Sequence, residues 1–543
     1  MLVALTRLPN GSIPSLRQGI AEALGYDYEE MLAARGHLLP GLGKTCGQVL
    51  DEINALGLTM IGELCRSGFQ AGDVPAICRR FLHKGYESVE ETLRYAATIL
   101  VPRLNETTAE LAHTLSALEG GYVPPGPSGA PTRGMADILP TGRNFYSVDP
   151  QAIPTRSAWD VGRALGDAML ERYLNDNGAY PESVGMIIWG SPTMRTRGDD
   201  IAEILYLMGV RPCWRENGRL EGLEVIPLAE LGRPRIDVTL RISGFFRDAF
   251  PNLVALLDEA VDTVANLTED DADNYLVKHI RAEMKENIDA GMDTEMAREL
   301  ASYRIFGCRP GTYGAGVSDA IDAKNWSSVQ DLGNIYLTWS GYAYGRKEYG
   351  KAMPDTFRTR LSRLDLTVKN EDNREHDMLD CDDFYSYHGG MIAAVKAFKG
   401  EAPCSYSGDS SDPFRVKVRS VAEETRHVFR SRVLNPKWIA GMQRHGYKGA
   451  GDLSRLVDYI FGWDATAEVM EDWMYERLAE TYALDRAMQE WFKKVNPDAL
   501  QNIAGRLLEA VKRGMWQTSP EMTEKLTEIY LEIEGMLEER TEH

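Results

Sequence analysis

The chain has 543 residues, 43% hydrophobic and 26% charged, the composition of a folded protein large enough for several domains. Its 81 acidic against 60 basic residues leave a net charge of −21, and no basic stripe offsets it, which speaks against nucleic acid as a partner. Seven scattered cysteines without a C-x-x-C speak against a disulfide framework or a thiolate metal site and for a reducing cytoplasm. No apolar run approaches the ~18 residues of a membrane span, and the N-terminus lacks a signal-peptide layout. The expected location is cytoplasmic.

In chain order, residues 1–119 read as a mainly helical domain. Ser15 to Leu24 and Gly47 to Leu58 carry apolar residues at helical spacing, and Val89 to Leu118 holds one or two longer helices. Gly43-Lys44-Thr45 resembles the end of a phosphate loop, but Leu38 stands where the first glycine belongs, so no nucleotide loop is expected. Residues 120–150 are rich in proline and glycine yet keep Tyr122, Arg133, Arg143, Asn144 and Tyr146, which suits an ordered loop or cleft lid as well as a linker.

Residues 151–268 read as an α/β domain. A helix over Trp159 to Leu174 is followed by an apolar strand from Val184 to Trp189. A polar loop with Arg195 and Arg197 then leads to the helix Ile201 to Met208, placing that loop where open α/β sheets bind ligands. Leu223 to Pro227 is a possible second strand. Ile236, Val238, Leu240 and Ile242 alternate with polar residues, the pattern of a half-buried strand. Residues 269–543 read as a mainly helical domain, with a glycine-rich loop over 304–316, a polar break over 401–415 and a closing amphipathic helix led by Pro520. The expected fold class is therefore α/β plus mainly helical domains, multidomain, with a strand–loop–helix unit in the middle.

The densest chemistry lies in Arg374-Glu-His-Asp-Met-Leu-Asp-Cys-Asp-Asp-Phe-Tyr-Ser-Tyr-His-Gly-Gly390. As a helix it sets His376, Asp380 and Asp383 on one face and Asp377, Asp380, Phe384 and His388 on an adjacent one. Imidazole and carboxylate together can hold a divalent metal or relay protons; a solvated acidic helix is the alternative.

Several motifs taken together go further. Leu139-Pro-Thr-Gly-Arg-Asn-Phe-Tyr-Ser-Val-Asp-Pro150, Trp189-Gly190, Met194-Arg-Thr-Arg-Gly-Asp-Asp200 and Glu230 through Asp248 resemble the large subunit of cobaltochelatase (CobN type) and the related H subunit of magnesium chelatase. Arg374 to Asp377, Asp382 to Tyr385, His388-Gly-Gly390 and Asn435-Pro-Lys-Trp438 continue the resemblance collinearly. The chain is similar to the second half of those longer proteins, and the Phe145 to Pro150 wording favours the cobalt branch. The resemblance implies a tetrapyrrole chelatase that inserts Co²⁺ into hydrogenobyrinic acid a,c-diamide in cobalamin synthesis, with Mg²⁺ and protoporphyrin IX as the alternative pair. It implies that ATP is hydrolysed by partners, an AAA+ ATPase subunit and a metal-adhesion-site subunit, and that a separate chain can supply the remaining half. A non-catalytic tetrapyrrole- or partner-binding protein is the other reading. For metal handling it points to His376, Asp377, Asp380, Asp382, Asp383 and His388, with His376, Asp382, Asp383 and His388 as the catalytic set. For the macrocycle it points to Arg143, Asn144, Tyr146, Arg195, Arg197, Arg241 and Arg247.

Overall fold

A computed structural model describes residues 1–6, 13–34, 36–127, 129–146, 148–215, 217–413 and 415–541. They group into two units, Met1–Asp149 with Met194–Thr196, and Pro150–Thr193 with Arg197–His543.

In the first unit, helical periodicity becomes helix. Cys46–Arg66 buries Val49, Ile53, Met60 and Leu64 at turn spacing, and Ile20 of Leu16–Ala23 joins the same core. The Gly43-Lys44-Thr45 stretch ends a two-residue hairpin, with Leu38–Leu39 antiparallel to Lys44–Thr45. Thr45 Oγ1 accepts from Gln48 N at 3.3 Å while Gln48 Oε1 accepts from Thr45 N at 2.8 Å. This capping box starts the helix, and Lys44 pairs with Glu52 at 2.6 Å. Farther on, Pro125–Pro127 pairs in parallel with Asn144–Tyr146.

The second unit is organised by one mixed sheet. Its strands are β1 Ser183–Ile188, β2 Asp237–Ile242, β3 Ile305–Gly307, β4 Tyr342–Tyr344, β5 Tyr349–Ala352, β6 Leu366–Glu371, β7 Cys404–Asp409 and β8 Lys417–Ser420. Their order is β5-β4-β3-β2-β1-β6-β7-β8. The inner five, β3-β2-β1-β6-β7, run parallel; β4 and β8 run antiparallel to them, and β5 pairs antiparallel with β4 at the edge. Helices α1 Arg156–Asn177 and α2 Asp199–Met208 lie on one face, with Asp200 and Glu203 of α2 meeting Asn370 of β6. On the other face lie α3 Val329–Ser340 and α4 Gly390–Lys399; a Cβ at Gly185 would sit 2.7 Å from Met391 Sδ. Beyond them come α5 Val421–Val428, which continues into a π-turn at Phe429–Val433, and α6 Gly446–Ala467.

Three expectations change. Six of the eight strands lie beyond residue 268, so a boundary between an α/β and a helical domain there cuts through the sheet. Those strands are three to six residues long, and their polar ends conceal the apolar runs; Cys404–Asp409 occupies the expected polar break. β2 is buried on both faces rather than one, because helices cover both sides of a parallel sheet and Asp237, Thr239 and Arg241 are enclosed with the apolar residues. Leu220–Val225 is a strand, but it pairs only with Val210–Trp214, off the main sheet.

Candidate functional site at the sheet switch point

Along the parallel core the strand order is third, second, first, fourth, fifth, so the chain changes direction between β1 and β6. In doubly wound sheets the crevice beyond the carboxyl ends of such strands is where ligands bind. Here β1 delivers Trp189 and Gly190, and β6 delivers Lys369, Asn370 and Glu371. The Trp189 ring meets Phe384 edge-on at 4.9 Å and Tyr387 at 5.7 Å. Lys369 Nζ stands over Trp189 at 4.1 Å and over Phe384 at 4.7 Å while donating to Asn370 O at 2.9 Å. Trp189 Nε1 is buried with no acceptor among the described residues. An unpaired buried N–H is costly, which makes this one a donor awaiting a partner. Two glycines allow close approach: a Cβ at Gly190 would lie 2.6 Å from Phe245, and one at Gly244 2.6 Å from Tyr313.

The His/Asp segment crosses this mouth as a loop, not a helix, until Asp382–Phe384; the π-turn Tyr385–Gly389 and α4 follow. Loop-closing bonds beat helix propensity, as Asp and Asn side chains compete for backbone donors. Asn373 Oδ1 accepts from His376 N at 3.0 Å, Asp380 Oδ2 from Asp377 N at 2.8 Å, and Asp377 Oδ1 from Leu379 N at 2.9 Å. Arg432 clamps both aspartates, reaching Asp377 at 2.6 Å and Asp380 at 2.7 Å.

The six expected metal-handling residues therefore separate. Asp377 and Asp380 are structural partners of Arg432. His388 is 2% exposed, with Nε2 3.2 Å from Thr367 Oγ1 and its ring 5.9 Å from Trp463. Burial, then the Lys369 charge, pushes its pKa down to about 3, so it is a neutral core histidine. The glycines after it serve packing: a Cβ at Gly389 would meet Thr466 Oγ1 at 2.2 Å. Of the other three, the exposed His376 has its ring 5.5 Å from Phe384, the exposed Asp383 lies within electrostatic reach of Arg241 and Tyr387, and the half-buried Asp382 lies by Asp322 and Tyr459. Asp383 is exposed overall, and partial desolvation of its carboxyl, then the Asp382 charge, raise it above its ordinary range against a lowering pull from Arg241. Among the described residues, no three His, Cys, Asp or Glu side chains converge on a metal position.

The arginines also divide. Arg241 is wholly buried: Nε donates to Ser340 Oγ at 2.8 Å, Nη2 to Gly314 O at 2.8 Å, and the guanidinium stacks 4.7 Å from Tyr387. Arg247 is 2% exposed, forked onto Asp248 and donating to Arg309 O at 3.0 Å. Both are enclosed and bonded within the fold in this structure. Arg143 donates to Pro140 O and Ile138 O, each at 2.9 Å, and Asn144 Nδ2 to Val123 O at 3.0 Å, so both brace their own loop. The Tyr146 side chain lies outside the described residues. Arg195, on Gly190–Thr196, and Arg197, in left-handed conformation at φ 58°, are half-buried.

Sequence reasoning passed over the residues beneath the mouth. On one side of β6, Asn370 Nδ2 donates to Asp200 Oδ1 at 2.9 Å and Glu203 Oε2 at 2.5 Å. Glu203 is wholly enclosed, and burial pushes its carboxyl up to about 8 despite the Asn370 bond. On the other side Glu371 accepts from Ser407 Oγ at 3.3 Å, and burial, then the Glu424 charge, raises it strongly. The available signal was Leu366-Thr-Val-Lys-Asn-Glu-Asp372, an apolar start running into polar residues, as a buried parallel strand does at its carboxyl end.

The family profile described as CobN/Magnesium Chelatase matches residues 1–523. The chain belongs to the CobN/magnesium chelatase family. A CobN/magnesium chelatase relative, the aerobic cobaltochelatase subunit CobN of Pseudomonas aeruginosa, is 42% identical over 551 residues, covering 98% of this chain and 43% of that one. A Methanocaldococcus jannaschii protein is 50% identical over 521 residues, covering 96% of this chain and 41% of its own length. The solved catalytic subunit of cobaltochelatase from Mycobacterium tuberculosis superposes with a TM-score of 0.82 at 44% identity, over 98% of this chain and 43% of that one. The chain thus spans about two fifths of the length of these relatives. Among the described residues no helix is long and apolar enough to cross a membrane.

Proposed function

We propose that this chain is the tetrapyrrole- and metal-handling part of a cobalt-inserting chelatase, taking hydrogenobyrinic acid a,c-diamide and Co²⁺ as substrates. The observation that carries the reading is the aromatic cluster at the switch point, half-exposed Trp189 backed by buried Phe384 and Tyr387, with Asp382 and Asp383 next to Phe384 in the chain. A flat macrocycle needs such a surface, and insertion needs groups that replace metal-bound water and take two ring protons. Asp382, Asp383 and His376 supply these. The raised Asp383 carboxyl is nearer in basicity to a working proton acceptor than an ordinary aspartate. Arg197, which has a partner of its own in the fold, is a candidate for the acidic side chains of the macrocycle.

ATP hydrolysis belongs in this reading to an AAA+ subunit and a metal-adhesion-site subunit, and the rest of the longer relatives' sequence to further polypeptide. Mg²⁺ with protoporphyrin IX is the second substrate pair, since the matching family includes the magnesium enzymes. Cobalt insertion assayed spectroscopically with the ATPase subunits present, against Mg²⁺ and protoporphyrin IX as competitors, tests it. The expected result is cobalt insertion into the corrin precursor; insertion of Mg²⁺ alone would move the chain to the magnesium branch, and neither would leave a binding protein.

A further inference from the structure

The helix Ala109–Leu118 of the first unit buries none of its residues, although it is rich in leucine. Leu111, Leu115 and Leu118, at i, i+4 and i+7, fall on one face and are 76%, 63% and 80% exposed. None of the three joins the first unit's core, which takes Leu93 and Leu100 from the chain just before them. The fold uses the opposite side of this helix. His113 Nδ1 donates to Gly142 O, and a Cβ at Gly142 would lie 2.6 Å from Glu110 N. Leucines at this spacing form the seam on which a second helix packs with interleaved side chains.

The flanks of the stripe indicate its partner. At helical spacing Glu119 stands about 80° to one side of Leu111 and Glu110 about 100° to the other, with Glu106 a turn before Glu110. All three glutamates are exposed, and none makes an ion pair among the described residues. No lysine or arginine occurs from residue 104 to residue 132. A second copy of this chain would set Glu110 and Glu119 against their own kind, on a molecule of net charge −21. An anionic lipid surface would be repelled likewise, and helices that lie on membranes carry lysine or arginine beside the apolar face, which this one lacks.

We propose that the Leu111–Leu115–Leu118 face docks an amphipathic helix of a partner protein whose apolar stripe is flanked by lysine or arginine. The leucines supply the seam, and Glu110 and Glu119 pair with basic residues along its edges, as the edge positions of two-helix coils do. The inference stands on the first unit alone and takes nothing from the chelatase reading.

The test uses the full chain and a fluorescein-labelled peptide of about 21 residues, with leucine at heptad positions a and d and lysine at e and g, followed by anisotropy at about 0.15 M salt. Saturable binding is expected, weakened about tenfold or more by L111S/L115S and by E110K/E119K. The same peptide with serine for leucine, or with glutamate for lysine, should not bind, and E110K/E119K should gain affinity for the glutamate peptide. The substituted side chains are exposed, so thermal midpoints should stay within about 2 °C of the parent. No saturable binding, affinity indifferent to either double substitution, or equal binding of the serine peptide overturns the proposal. So does a dimer in sedimentation that L111S/L115S dissociates, which would give the face to a second copy. Leucine-dependent binding to phosphatidylglycerol vesicles would give it to a membrane and overturn the proposal as well.

Discussion

Two buried ionisable residues show how charge is managed inside this sheet. Asp237 takes the Arg304 fork at 2.6 and 3.0 Å and His279 Nδ1 at 2.8 Å. Burial alone would raise its carboxyl, but the Arg304 and His279 interactions prevail and hold it well below the ordinary range. A depressed carboxylate contributes stability that is present above its unfolded value of ~3.9 and lost as pH falls below it. Asp237→Asn strands Arg304 in the core and should cost about 3–5 kcal/mol in urea unfolding at pH 7. His388 titrates in another window. Its folded value of about 3 lies below the ~6.5 of an unfolded histidine, so the unfolded chain binds the extra proton first. Stability should therefore fall as pH drops from ~6.5 toward 4, by up to about 1.4 kcal/mol per pH unit from this group. His388→Gln should flatten that part of the profile, read from urea midpoints at pH 7, 5.5 and 4. A metal-binding role for His388 would instead show as lost metal affinity with an unchanged acid slope.

At the scale of elements, the π-turn Tyr385–Gly389 joins the functional loop to the core. It carries Tyr387 to Trp189 and His388 to Thr367, and its end is fixed by glycines against Thr466 and Tyr336. Gly389→Val should cost about 1–3 kcal/mol by overpacking, measured by thermal unfolding, because Thr466 sits on a helix wedged into the same core. The 372–384 loop is held by ion pairs as well as by Met378 and Leu379, both buried in the core. Arg432→Ala should leave buried Asp377 without its cation, cost about 3 kcal/mol or more in urea unfolding, and increase amide exchange across 374–381. Equal exchange in both proteins would mean that the turns and the buried side chains hold the loop without the ion pairs. These elements also mark where sequence legibility ends. The helices Cys46–Arg66 and Arg156–Asn177 were readable because their apolar spacing spans several turns. β3, β4 and β7 were not, since strands of three to six residues with polar ends give no period to detect. That 374–381 is a loop and not the helix on which the one-face arrangement of His376, Asp380 and Asp383 depends is set by local side-chain-to-backbone bonds, which leave no trace in hydrophobic periodicity.

Across the whole chain, three of the motifs that signalled the family, Trp189-Gly190, Asp199-Asp200 and Asp382 to Tyr385, lie about the ends of β1 and β6 although they are up to about 200 residues apart in sequence. Residue types were legible but their division of labour was not. Which aspartate stays exposed and which binds Arg432 depends on loop closure, and whether an arginine is open or enclosed depends on packing, as Arg241 and Arg247 show. The buried Glu203 and Glu371 became visible only once β6 had been placed in the centre of the sheet. In the proposed function Asp382 and Asp383 handle metal and protons while the aromatic cluster holds the macrocycle. Paired measurements on Asp383→Ala with the ATPase subunits separate the two roles: the cobalt-insertion rate, and macrocycle affinity by fluorescence quenching. A loss of insertion of about 100-fold or more is expected, with macrocycle affinity changed less than about threefold. Insertion at the unaltered rate, or a loss explained wholly by failed macrocycle binding, would contradict these roles.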